Sequence, residues 1–246
     1  IVSIIPSAVI TGFTSGIAIL IAFGQIDNFF GTRSHGETLI QKITSYGELG
    51  FSPEWQPMFF GLLVIAIMIG WPKRWAAKVP SSLAGIIVAL IVNILGPFSV
   101  PEVGAIPRSL LLEDRFTFAF LDMTMIKTLA APAVSIAALG MIESLLCGAA
   151  GGKMKKERLQ ADRELIAQGV GNIIIPFFGG VPATAAIART SVAIKAGGKT
   201  RMTSVFHAIT LVASMFLLGP LMSRIPLAAL AGVLMMTAWR MNEWES

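Results

Sequence analysis

The chain has 246 residues, of which 54% are hydrophobic and 13% charged, and its mean hydropathy is +0.75. Soluble domains carry about a quarter charged residues, so this composition excludes an ordinary water-soluble domain and indicates an integral membrane protein. The net charge of +5 and a pI of about 9.7 fit basic cytoplasmic loops rather than nucleic-acid binding, and the single cysteine, Cys147, excludes an internal disulfide.

A membrane span needs about 20 mostly apolar residues. Residues 1–23 meet this, and the chain opens inside them at Ile1 rather than Met. It ends at Ser246, just past another apolar segment, so a fragment of a longer protein is expected. Gly12 and Gly16 form a G-x-x-x-G pair suited to helix packing. Thr11, Thr14 and Ser15 beside them are candidates for a polar path. Residues 55–71 carry Trp at both ends, as an interfacial belt does. Residues 80–98 and 125–148 follow. Between 165 and 194 the apolar character persists but is broken by Gly171, Asn172, Pro176, Gly179, Gly180 and Pro182. Two short segments, 164–178 and about 183–195, are expected there. Residues 202–220 and 225–239 complete a set of about eight membrane segments in an all-α polytopic protein.

The loops alternate in charge. Lys73, Arg74 and Lys78, then Lys153, Lys155, Lys156 and Arg158, then Lys195, Lys199 and Arg201, form basic loops. Residues 24–54 hold Asp27, Glu37, Glu48 and Glu54, and residues 99–122 hold Glu102, Glu113, Asp114 and Asp122. Basic loops face the cytoplasm, so the first span runs outward and the parity closes through every segment.

Glu143 is the first candidate for chemistry. An ionisable group within a span is costly and marks function by default; the plainer alternative is a carboxylate solvated near the cytoplasmic interface. Cys147 lies one turn on, on the same helix face. The second candidate is the stretch FFGGVPATAAIART, residues 177–190. Non-helical backbone at membrane depth survives only where protein buries it or a watery cavity borders it. A half-helix starting there would offer free N–H groups to an anion, with Arg189 adding positive charge. The alternative is an ordinary loop with a snorkelling arginine. The AGGKT stretch, 196–200, lacks the first glycine of a phosphate loop and is a turn. His35, His207 and Cys147 are too dispersed for a metal site. No protease-like serine or aspartate arrangement is present, so neither an enzyme nor a cofactor is expected.

Several stretches together resemble the SulP anion transporters, the family related to the SLC26 exchangers. PSAVITGFTSGIAI is similar to the family's fifth helix, and GAIPR to the segment before its eighth. ALGMIESLLCGAA is similar to the eighth helix, with Glu143 at the family's acidic position. ELIAQGVGNIIIPFFGGVPATAAIARTSVAIKAGGKTR resembles the ninth and tenth segments, and IPLAALAGVLM the twelfth. The resemblance implies part of a seven-plus-seven inverted-repeat transporter fold, with a core domain moving against a gate domain. It implies gate helices over 1–98, an extracellular connection over 99–124, core helices over 125–220, and the start of the second gate repeat over 225–246.

It further implies a short strand at Ala183 and Thr184 leading into a half-helix near 183–188. The substrate-binding residues would be Glu143, Cys147, Thr184, Ile187, Ala188 and Arg189. Ile187 and Ala188 would offer N–H groups, and Glu143 would couple transport to a proton or another cation. Many relatives have serine where Ala188 stands. Some bicarbonate carriers have Asp and Thr where Glu143 and Cys147 stand, which argues against sodium–bicarbonate symport. The expected function is secondary active transport of sulfate or a small carboxylate, with no cofactor. A bicarbonate or nucleobase-type carrier and a channel-like conductor are the alternatives. A lipid bilayer, a homodimeric full-length protein and a bacterial inner membrane complete the expectation. The resemblance covers helices five to twelve, so the first four helices, the last two and a cytoplasmic STAS domain would lie outside this chain, and the fragment alone is not expected to transport.

Overall fold

The structure is a computed structural model that describes residues 7–36, 38–76, 79–113, 115–118 and 122–241. Expectations resting on residues 1–6, Glu37, Lys78, Asp114 and 242–246 lie outside these residues. Along the chain run α1 (Ser7–Gly24), α2 (Ile26–Phe30), α3 (Leu39–Leu49), α4 (Trp55–Gly70), α5 (Lys73–Ala76) and α6 (Ser81–Leu95). They are followed by α7 (Met123–Lys155), α8 (Ala161–Ile174), a 3-10 turn (Ile175–Phe178), α9 (Ile187–Lys195), α10 (Met202–Met222) and α11 (Leu227–Met241). Among the described residues, α7 and α10 are each long and apolar enough to cross a bilayer, while α4, α6 and α11 are apolar but shorter.

The chain divides into two compact units. One holds the described residues of 5–106 and 217–246, the other those of 107–216. In the first unit α4 packs against α6 and α11, and α1 and α2 pack against α11. Phe60, Val64, Met68, Ala89, Ala228 and Ala229 form its buried core. A Cβ at Gly232 would sit 2.6 Å from the carbonyl oxygen of Gly61, so α11 meets the backbone of α4 directly. Small residues permit such approach, and van der Waals contact then holds helices that the hydrophobic effect cannot drive together in lipid. The segment after α6 runs antiparallel to the segment entering α11. Val103 N–H donates to Ile225 O (3.0 Å), and Leu227 N–H donates to Pro101 O (2.9 Å). The buried Asn93 amide donates to Glu102 Oε1 (2.7 Å) and Arg224 O (3.0 Å), which satisfies it inside the unit.

Residues 24–54, read from sequence as a loop, contain α2 and α3. A capping box starts α3, with Gln41 N–H donating to Thr38 Oγ1 and Thr38 N–H to Gln41 Oε1. Asp27 organises the segment. It accepts hydrogen bonds from Thr32 (3.1 Å), Tyr46 (2.8 Å) and Ser34. Partial burial pushes its carboxyl up, but these three hydroxyls and the nearby Lys42 charge outweigh burial and hold it below the ordinary value of 3.8.

In the second unit α7 packs against α8 and α9. It runs through Pro132 and extends past both bounds expected for it, from Met123 to Lys155. The strand expected at Ala183 and Thr184 is corrected. Residues 181–186 form no strand and no helix, and no strand forms among the described residues. A strand needs a backbone partner, whereas here the partner groups come from side chains. The segment expected from about 183 accordingly becomes helical only at Ile187.

Candidate functional site

One stripe of α7 carries Gly140, Glu143, Ser144, Cys147 and Gly151, spaced three, four, seven and eleven residues on from the first. Against it lie Thr184 and α9. The Thr184 hydroxyl donates to Glu143 Oε2 at 2.6 Å. Cys147 is buried, with its Sγ 3.2 Å from Thr190 Oγ1. The glycines make room: a Cβ at Gly140 would lie 3.3 Å from the Thr184 methyl, and one at Gly151 3.1 Å from the Thr190 methyl. Ser144 is fully buried, and its hydroxyl has no partner among the described residues.

The break forms in three steps. Pro176 sits in the 3-10 turn that follows α8. Gly179 then adopts the left-handed conformation (φ 84°) that a side chain disfavours, and its N–H bonds Pro176 O at 2.9 Å. Gly180 N–H bonds Ile175 O at 3.1 Å. The chain then crosses residues 181–186 without helix. Ala183 is held there by α8, its N–H bonding Asn172 Oδ1 (2.9 Å) and its carbonyl accepting from Asn172 Nδ2 (3.0 Å) and from Gln168.

At the start of α9, Ala186 is extended (φ −114°, ψ 120°) and supplies no side-chain cap. The bond from Thr190 N–H to Ala186 O (3.0 Å) is the first helical bond. The N–H groups of Ile187, Ala188 and Arg189 precede it and have no intrahelical acceptor. Together with the helix dipole they leave positive potential at this end. Arg189 is exposed and makes no ion pair among the described residues.

The structure thus brings together Glu143 with Thr184, and places Cys147 against α9, whose first turn holds Ile187, Ala188 and Arg189. Sequence reasoning missed Thr190, Ser144, Gln168 and Asn172. The last two stand one turn apart just before the break, a spacing visible in the sequence, where Asn172 by itself signals only a helix breaker. An apolar cavity of about 630 Å³, lined by Arg115, Phe116, Met125 and Val181 among others, lies beside the break. None of the predicted site residues lines it.

The profile of the sulfate permease family matches residues 1–246. The chain is 33% identical over 254 residues to the putative sulfate transporter YvdB of Bacillus subtilis, covering 99% of this chain and 46% of that protein. It therefore spans a little under half the length of that relative. Its fold matches the transmembrane domain of a cyanobacterial bicarbonate transporter, BicA, with a TM-score of 0.89 and 26% identity over 99% of this chain and 62% of that one. The murine anion transporter Slc26a9 in its inward-facing state shares the fold, with a TM-score of 0.84 at 17% identity over 98% of this chain and 41% of that chain. The fold is that of an all-α polytopic membrane domain. With its full length matched by the family profile, the chain belongs to the sulfate permease family.

Proposed function

We propose that the protein is a secondary active transporter of a small anion, sulfate or a small carboxylate, working by proton symport. The observation that carries this is the uncapped N-terminus of α9, set behind non-helical backbone whose Thr184 is bonded to Glu143. The N–H groups of Ile187 and Ala188 hydrogen-bond the oxyanion, and Arg189 contributes positive potential. Ala188 offers its N–H alone, because its side chain has no polar atom. Cys147 borders the anion from α7, and Thr184 borders it from the non-helical backbone that leads into α9. Glu143 couples transport to protons: a bound proton removes a negative charge that would otherwise repel the anion. Residues 125–220 form a core that moves against gate helices drawn from 1–98 and 225–246. The intact protein is a homodimer in the bacterial inner membrane. The transporter names of the relatives favour a carrier over an enzyme.

Bicarbonate is the second substrate reading, supported by the fold match to BicA. Uptake by the intact protein in proteoliposomes, with labelled sulfate, succinate and bicarbonate and with or without an inward proton gradient, tests both. Sulfate or succinate uptake stimulated by the gradient supports symport. Bicarbonate uptake alone replaces the first substrate reading with the second. No uptake of any of the three defeats the carrier reading.

A further inference from the structure

We propose that Gln168 and Asn172 are positioning residues that set the backbone of the α9 half-site; this rests on the anion-site reading above. The two residues are four apart on α8 and so share one face. Both reach the same peptide unit. Asn172 makes a two-way bridge with Ala183, accepting from its N–H at 2.9 Å and donating to its carbonyl at 3.0 Å. Gln168 donates to that same carbonyl. A carboxamide used in this way copies the donor–acceptor pair that a neighbouring strand would present. It answers a specific need. The backbone at 181–186 is neither helical nor paired with a strand, and at membrane depth a peptide group without a partner is costly. The residue after Ala183 is Thr184, which bonds Glu143, and α9 begins three residues further on. The stretch is therefore pinned from two sides, by α8 through amides and by α7 through a carboxylate. The register of the Ile187, Ala188 and Arg189 N–H groups follows from those two pins. Neither amide touches the proposed anion; each acts through the backbone it holds.

The amide chemistry makes the inference testable. Asn172→Leu removes both bonds at similar volume. Asn172→Asp keeps the acceptor for Ala183 N–H but turns a second oxygen toward the Ala183 carbonyl. Gln168→Leu removes one of two donors to a single carbonyl. The intact protein in proteoliposomes is assayed for labelled sulfate uptake, and the peptide covering 181–189 for hydrogen–deuterium exchange. Asn172→Leu is expected to raise the sulfate KM about tenfold, and Gln168→Leu about threefold, with maximal rate per folded protein little changed. Exchange should rise about tenfold within 181–189 and stay unchanged in α7. If Asn172→Leu does not fold, Asn172→Asp carries both readouts, with the same directions expected. An unchanged KM together with unchanged exchange overturns the proposal, and so does a loss of maximal rate at constant KM. If the wild-type protein moves none of the three anions, the anion reading falls by itself. Exchange then still decides the clamp: a local rise in the variants supports it, and no rise overturns it.

Discussion

The Thr184 hydroxyl donates to Glu143 Oε2 at 2.6 Å, joining residues 41 positions apart. It ties the one carboxylate of the α7 stripe to the extended backbone that leads into α9. Glu143→Gln is expected to abolish stimulation of sulfate uptake by an inward proton gradient while leaving the protein folded. Thr184→Val should weaken uptake yet keep its dependence on the gradient. Parallel uptake curves with and without the gradient separate the two roles; full stimulation in Glu143→Gln would remove Glu143 from coupling.

Arg189 stands in the first turn of α9, exposed and with no ion pair among the described residues. Its contribution to anion binding is long-range and therefore screened by salt. Arg189→Ala is expected to weaken sulfate binding about fivefold at low ionic strength. The variant should also show a flatter dependence of affinity on salt. Titration calorimetry at two salt concentrations reads both effects, and equal slopes for wild type and variant would count against an electrostatic role.

Gly232 meets the backbone of Gly61, where a Cβ would stand 2.6 Å from the carbonyl oxygen. Gly232→Val must push α11 from α4 and is expected to cost about 1–3 kcal/mol, as overpacking does. Gly70, also in α4, has no atom within 4 Å of a built Cβ, so Gly70→Ala is the control and should be neutral or slightly stabilising. Thermal unfolding in detergent distinguishes them: Tm falls for the first and holds for the second.

Asp27 is expected to contribute to the pH response of the segment around α2 and α3. Its folded value lies below 3.8, because three hydroxyls and Lys42 outweigh burial. A depressed carboxyl stabilises the fold above its unfolded value and loses that contribution as pH falls through the folded value. Tyr46 is raised above 10.0 by burial and then by its bond to Asp27, so its contribution is full below 10.0 and is lost as pH rises through the folded value. Ring NMR of Tyr46 should show an upward-shifted titration that moves back toward 10.0 in Asp27→Asn. The ordered resonances of α3 should weaken as the pH falls from 3.8 through the lower folded value in the wild type and be insensitive to that range in the variant.

The membrane segments were legible because hydropathy and span length are properties of neighbouring residues. The break at 177–190 was legible for a related reason: Gly179, Gly180 and Pro182 interrupt helix wherever they stand. Glu143 stood out because a carboxylate in an apolar run needs an explanation. α3 went unread although its T-x-x-Q start, Thr38 to Gln41, was a visible capping signature.

The amino-acid sequence by itself determined that this chain is a set of membrane helices with one deliberate interruption, because those features follow from local composition and local stereochemistry. Only the tertiary structure decided what the interruption meets. Ala183 finds its partners 11 and 15 residues back in Asn172 and Gln168, Thr184 finds Glu143 at 41, and Thr190 finds Cys147 at 43. Expected as strand, residues 183–184 are instead held by side-chain amides. Local sequence specifies that the helix must stop; which groups satisfy the exposed peptides depends on which faces of α7 and α8 come within hydrogen-bond reach, and packing sets that.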